Sequence, residues 1–365
     1  MKIIYLLFVM FFCFPHCCTA YDAESFISEE INLPALIDHL PEPLEDVVRD
    51  NIFISGQALS ELMTELKLQI TEAFEEHLTS AWKPAAQTLM IVLICSVFSI
   101  LLSEKKYDFP VVLVGSSAII YVCIADIESY FNYSIRVIQE IYDFSTVLLP
   151  CMAGVSVFAG ATISAGVKYT AASLFMNILL NFCNSFLVPF VNLYLATVIG
   201  YHVFGQRILG AISNFVRWGC LTVLTGFVVV FTSYLSVAGI LSASGDLLSA
   251  RVASTTISNL LPIVGNIISD TASTLVSGAS YMRSCIGVIG LISVLFIFAV
   301  PLVSVASRYL LFKAVSEISD IYPNHKFSGV IKGISDAYGM LFAIVGSGLI
   351  MLFLTLLSFM QLVVP

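Results

Sequence analysis

The chain has 365 residues, 58% of them hydrophobic and 11% charged, with a mean hydropathy of +0.96 and a formal net charge of −9. A soluble domain carries about 25% charged residues, so this composition excludes an ordinary soluble protein and indicates a polytopic α-helical membrane protein. The acidic balance argues against nucleic acid as a partner.

Residues 1–20 read as a cleaved signal peptide: Lys2, an apolar core from Ile3 to Phe14, then Cys18-Thr19-Ala20 ahead of Tyr21. Residues 21–83 form an acidic extracytoplasmic region, with fourteen acidic residues against Arg49, Lys67 and Lys83. All of the chain's excess negative charge belongs there. After an extended lead-in marked by Pro34, Pro41 and Pro43, the spacing predicts a helix from about Gln57 to Trp82. Leu59, Leu62, Met63, Leu66, Ile70 and Phe74 make its apolar stripe, with Glu61, Glu65, Glu72, Glu75 and Glu76 elsewhere. That stripe can dock on another subunit or fold onto the chain's own bundle.

Residues 84–365 read as the membrane domain. At ~20 residues per crossing, apolar runs at 85–103, 109–125, 145–167, 170–199, 218–243, 284–307 and 337–364 predict about seven spans. An extracytoplasmic N-terminus then puts Lys105 and Lys106 inside, the acidic segment 126–143 outside and Lys168 inside. The loop 200–217, with Arg207 and Arg217, falls outside and breaks the positive-inside rule. The basic loop 307–334 falls inside only if the polar stretch 255–282 crosses the membrane.

That stretch is the eighth, doubtful element. Thr255, Asn259, Asn266, Asp270 and Ser273 recur at helical spacing opposite Ile257, Leu260, Leu261, Val264 and Ile268. Pro262 lies within the pattern, where it removes a backbone donor and predicts a kink or break. The segment is expected as a kinked amphipathic helix, spanning or re-entrant, whose polar stripe lines a water-filled path or lies at the membrane surface. A second polar stripe, Asn177, Asn181 and Asn184, marks the long fourth run; such side chains bond across helices or face water. Asp246, Arg251 and Arg283 are expected as structural ion pairs, because an unpaired charge in the bilayer costs ~2.5–3.5 kcal/mol on insertion scales.

Nine cysteines fall either in the signal or in apolar runs, without CxxC or Cys/His spacing, so no disulfide framework or zinc site is expected. They serve as small hydrophobes. No P-loop, GxSxG or HExxH motif occurs, and the five histidines are scattered. The sequence therefore predicts no enzyme, no catalytic residues and no cofactor.

Four segments carry a family resemblance: Asp246 with Arg251; LPIVGNIISD from Leu261 to Asp270, followed by Arg283 and Gly287; YLLFKAVSEISD from Tyr309 to Asp320; and, more loosely, VLLPCMAGVSVFAGATISAG from Val147 to Gly166. Their order and spacing resemble the stage III sporulation protein AE family over roughly the last two-thirds of the chain. The resemblance implies an integral membrane subunit of the complex that connects mother cell and forespore, contributing to a transmembrane conduit. It implies other membrane and ring-forming subunits and a separate ATPase as partners, with homo-oligomerisation in the bilayer possible. It also implies the mother-cell-derived membrane as the location, the mature N-terminus lying in the intermembrane space. The competing reading is a secondary transporter for a small solute, whose mark is an inverted repeat with broken helices in both halves. Only Pro262 and, more weakly, Pro189 provide such breaks.

Overall fold

The computed structural model describes residues 37, 40–41, 44–45, 48, 56–102, 105–260, 265–321 and 325–361. The signal segment 1–20 lies outside them, as do the side chains of 240–245 and 247–275. Every regular element among the described residues is helical: α1 Gly56–Leu102, α2 Lys105–Phe158, α3 Thr162–Phe182, a π-helical turn Cys183–Leu187, α4 Val188–Phe204, α5 Arg207–Leu260, α6 Gly265–Ser319 and α7 His325–Met360.

Among the described residues, six stretches are long and apolar enough to cross a membrane: Ala58–Leu101, Phe109–Phe158, Thr162–Phe204, Arg207–Gly239, Val276–Ser319 and Lys326–Met360. The seven expected runs become six because 109–125 and 145–167 are joined. The acidic segment between them continues α2 as helix, burying Phe131, Ser134, Val137, Ile138, Ile141 and Phe144 along one face. The local density of charge suggested a loop; the helical spacing of the buried residues decides otherwise. At 1.5 Å per residue the 54 residues of α2 reach ~80 Å, against a hydrocarbon core of ~30 Å.

α1 also runs unbroken, through Pro84, from its acidic half into its apolar half. Leu62, Leu66, Ala73, Ala81, Ala85, Thr88 and Val92 are its buried stripe. Leu62 and Leu66 pack on Ile289, Ile292 and Phe296 of α6, together with Leu40, Leu44 and Val48. The glutamates of the acidic half are exposed, so the stripe is used within the chain.

The centre of the bundle is the α6–α7 hairpin. Phe298, Phe312, Phe327, Tyr338 and Phe359 are fully buried there and fill it with side chains. At Gly287 an added Cβ would come 2.5 Å from Met360 Cγ, so α6 and α7 touch almost backbone to side chain. Cys123, Cys151, Cys183, Cys220 and Cys285 are buried free thiols and Cys95 is partly buried.

Successive helices alternate in direction. The corners at 102–105, 204–207 and 319–325 share one end of the bundle: a Cβ on Gly115 would meet the Phe327 ring and the Cys95 sulfur, and one on Gly329 the His202 ring. The corner at 158–162 lies towards the opposite end with Met360: a Cβ on Gly287 would meet both Met360 and Met152, and Lys168 reaches the Ser358 carbonyl. The corner 204–207 therefore lies with 319–325, so the expected placement of 200–217 and 307–334 on opposite sides is corrected. Lys168 likewise does not sit between two spans. The turn comes at Ala159–Ala161, where Gly160 has φ +85°, and Lys168 lies within α3.

The stretch 255–282 is not a separate helix. Its beginning closes α5 at Leu260 and its end opens α6 at Gly265, on either side of Pro262, which itself lies outside the described residues. A common face for Thr255 and Asn259 with Asn266, Asp270 and Ser273 presupposes one continuous helix, and the chain has two here.

Candidate functional site: charged clusters between the helices

Three groups of polar side chains are built into the bundle. The first joins α1, α2, α6 and α7. Asp126 Oδ1 lies 3.2 Å from Arg308 Nη2, and Tyr338 donates its hydroxyl to Asp126 Oδ2 at 2.7 Å. Arg308, with 5% of its side chain exposed, donates further to the His77 carbonyl and to Ser80 Oγ, each at 3.0 Å. Its guanidinium stands 4.7 Å over the Tyr130 ring, and Ser304 donates to the Tyr130 hydroxyl at 3.3 Å. Sequence reasoning placed Asp126 and Arg308 on loops of opposite sides; the structure pairs them inside the bundle. Their spacing along the chain carries no local periodicity, so no sequence signal revealed the pair.

The second group lies at the end bearing the 158–162 corner. No side chain of the local sequence caps α3. Asp246, 83 residues further on, does so: its carboxylate accepts Ile163 N–H at 2.9 Å and Ser164 N–H at 3.1 Å. A carboxylate there also meets the positive end of the helix dipole. Lys168, buried, donates Nζ to the Ser358 carbonyl of α7 and lies within electrostatic range of both Asp246 and Arg283. Arg283 is 3% exposed and donates to Ser280 Oγ at 3.3 Å. Asp246 and Arg283, expected as ion-pair partners, are both buried, and the hydrogen bonds of Asp246 go to the backbone of α3. Lys168 is the cation that sequence reasoning missed, and the side chain of Arg251 lies outside the described residues.

The third group surrounds the corner between α4 and α5, closed by Gly205 with φ +68°. Arg217 Nη1 lies 2.8 Å from Asp336 Oδ2, and Tyr194 donates to the same oxygen at 3.3 Å. Beside them is a cavity of about 520 Å³, also lined by His202, Arg207 and Lys332. Its wall depends on glycine: a Cβ at Gly329 would fall 1.9 Å from the His202 ring and one at Gly333 2.6 Å from Val198. Replacing Gly329 with alanine is expected to displace His202 and destabilise the protein by about 1–3 kcal/mol, as overpacking does. Gly346→Ala, where nothing lies within 4 Å, should leave the melting temperature of the purified protein nearly unchanged. Equal melting temperatures for the two variants would refute the close approach.

The expected polar stripes fare differently. Asn177, Asn181 and Asn184 are all exposed, on the outer surface of the single-chain bundle. Asn181 donates Nδ2 to the Asn177 carbonyl at 2.9 Å and to its side-chain oxygen. The π-helical turn follows at once, because Pro189 has no N–H to return to the preceding turn. The side chains of Thr255, Asn259, Asn266, Asp270 and Ser273, like Pro262, lie outside the described residues.

These features define an all-helical protein with helices of membrane-spanning length and apolarity, tied together by one buried and one partly exposed ion pair and by a side-chain cap. The chain matches the family described as stage III sporulation protein AE over residues 44–362. It is 22% identical over 271 residues to the stage III sporulation protein AE of Bacillus subtilis (strain 168), which covers 73% of this chain and 67% of the relative. The chain belongs to the stage III sporulation protein AE family, and its role lies in sporulation. No solved structure matches it.

Proposed function

We propose that this chain is an integral membrane subunit of the sporulation complex connecting mother cell and forespore, and that it contributes to a transmembrane conduit without catalysing a reaction. The observation that carries this reading is the family match across nearly all of the described helices. The end with the corners 102–105, 204–207 and 319–325 faces the mother-cell cytoplasm in this reading, since it gathers Lys105, Lys106, Arg207, Lys313, Lys326 and Lys332. The acidic beginning of the mature chain then faces the space between the membranes. The filled interior of the α6–α7 hairpin favours a conduit shared between chains. So do Asn177, Asn181 and Asn184, which are exposed on the outside of the bundle, where a polar group needs a partner or water. The stretch around Thr255, Asn259, Pro262, Asn266, Asp270 and Ser273 forms the outer mouth. Its partners are further membrane and ring-forming subunits and a separate ATPase.

Two measurements test this. Affinity purification of the full chain from sporulating cells should bring down other membrane proteins and an ATPase; recovery of the chain alone would favour an autonomous solute transporter. Single cysteines at 259, 266 and 270 should react with a small water-soluble thiol reagent in the assembled complex, whereas a cysteine in place of the buried Leu148 should not. Protection of 259, 266 and 270 alike would overturn the assignment of the mouth.

A further inference from the structure

We propose that the cavity between α4, α5 and α7 is a binding site for a phosphate group. Its volume of about 520 Å³ falls within the range of small-molecule sites, ~300–1,000 Å³, and exceeds what a lone ion fills. Its charge selects an anion. Arg207, Arg217 and Lys332 line it against a single carboxylate, Asp336, which is already engaged by Arg217 and the Tyr194 hydroxyl. Arg207 and Lys332 enter no ion pair among the described residues, and both are exposed. They project from different helices, α5 and α7, so an anion held between them would be gripped from two sides.

The chemistry of the donors favours phosphate among anions. A guanidinium fork and an ammonium point charge are the usual pair for phosphate oxygens. Ser213 and Asn214, on the same wall, add neutral hydrogen-bonding groups. The glycines at 329 and 333 leave the His202 and Val198 side chains no room for a Cβ opposite them, so this wall is fixed by packing.

The surroundings favour a lipid as the bearer of that phosphate. Phe204, Ile208, Phe215 and Trp218 are 59–72% exposed on the same corner, and α5 continues as a span-length apolar stretch to Gly239. Exposed tryptophan and phenylalanine next to arginine are the composition of a membrane interface, and basic pockets between helices on the cytoplasmic side hold lipid headgroups. A free phosphate would use the same cations and ignore the apolar rim.

The full-length protein, purified in neutral detergent, would be titrated in three arms: phosphatidylglycerol in mixed micelles, inorganic phosphate, and sodium chloride at matched ionic strength. Thermal unfolding and native mass spectrometry would be the readouts. Phosphatidylglycerol should raise the melting temperature and appear as bound lipid, with no comparable effect of chloride. Arg207→Ala combined with Lys332→Ala should weaken this binding roughly tenfold or more, since two charge-assisted contacts are lost. Both side chains are exposed, so the ligand-free melting temperature should stay unchanged. Arg136→Ala, an exposed arginine on α2, should bind as the parent does. Binding of inorganic phosphate alone, lost in the double variant, would keep the phosphate site and overturn the lipid source. Equal binding by parent and double variant, or equal weakening by Arg136→Ala, would overturn the site itself.

Discussion

Replacing Asp126 with alanine is expected to remove most of the assembled protein from the membrane. Arg308 would keep its contacts to the His77 carbonyl and Ser80 but lose its counter-charge, and the Tyr338 hydroxyl would lose its acceptor. Breaking a buried ion pair from one side costs about 3–5 kcal/mol, a large share of the ~5–15 kcal/mol that holds a typical domain together. Asp126→Asn should do less harm, because an amide oxygen still accepts from Tyr338. Asp126→Leu with Arg308→Met should recover much of the loss, since replacing both charges by apolar groups is often neutral or stabilising. The measurements are the amount of detergent-extracted full-length protein and its melting temperature by size-exclusion chromatography. A double variant as damaged as the sum of the two single changes would show that the residues act independently.

Asp246→Ala should be the second most damaging change. It removes the cap of α3 and leaves the Ser164 N–H without its acceptor in a buried setting and the Ile163 N–H without one in a partly buried setting. Loss of a cap costs about 0.5–2 kcal/mol, and the one buried donor left unsatisfied, Ser164 N–H, about 1–3 kcal/mol, so a total of about 1.5–5 kcal/mol is expected. Asp246→Asn keeps one acceptor oxygen and should fall between the parent and the alanine variant. Lys168 would also lose a nearby negative charge. Adding Lys168→Met to Asp246→Ala should therefore restore part of the melting temperature. If Asp246→Ala melts with the parent, the carboxylate is not the cap.

How much of this was legible beforehand depends on the range of the forces involved. The apolar stripe of α1 was readable in part because its residues recur at helical spacing within a few turns: Leu62 and Leu66 bury as that spacing demands, while Leu59 and Phe74 stay exposed. A break near Pro262 was expected because proline acts on its own backbone; Pro262 lies outside the described residues, with α5 ending at Leu260 and α6 beginning at Gly265. The continuity of α2 was not. Asp126, Glu128, Glu140 and Asp143 look like a solvated loop until Arg308 and Tyr338, far along the chain, supply partners for Asp126. The same holds for Lys168, whose carbonyl partner at Ser358 lies 190 residues away. A window of hydropathy sees the charge but not what neutralises it. The placement of 200–217 followed from that reading: with 109–125 and 145–167 counted as separate runs, the corner 204–207 was assigned to the other end from 102–105, whereas α2 is one helix from Lys105 to Phe158.

The cap that Asp246 places on α3 has a consequence for biogenesis. Ile163 and Ser164 leave the ribosome more than eighty residues before the carboxylate that satisfies them, and Asp126 precedes Tyr338 by 212 residues. At ~5–20 residues per second, Asp126 waits on the order of 10–40 s for that partner. During that interval Asp126 carries a charge whose partners in the finished fold, Arg308 and Tyr338, have not yet been made. The last hairpin made, α6–α7, is the keystone that closes the network, so a nascent chain halted before Arg308 is a ready substrate for membrane quality control.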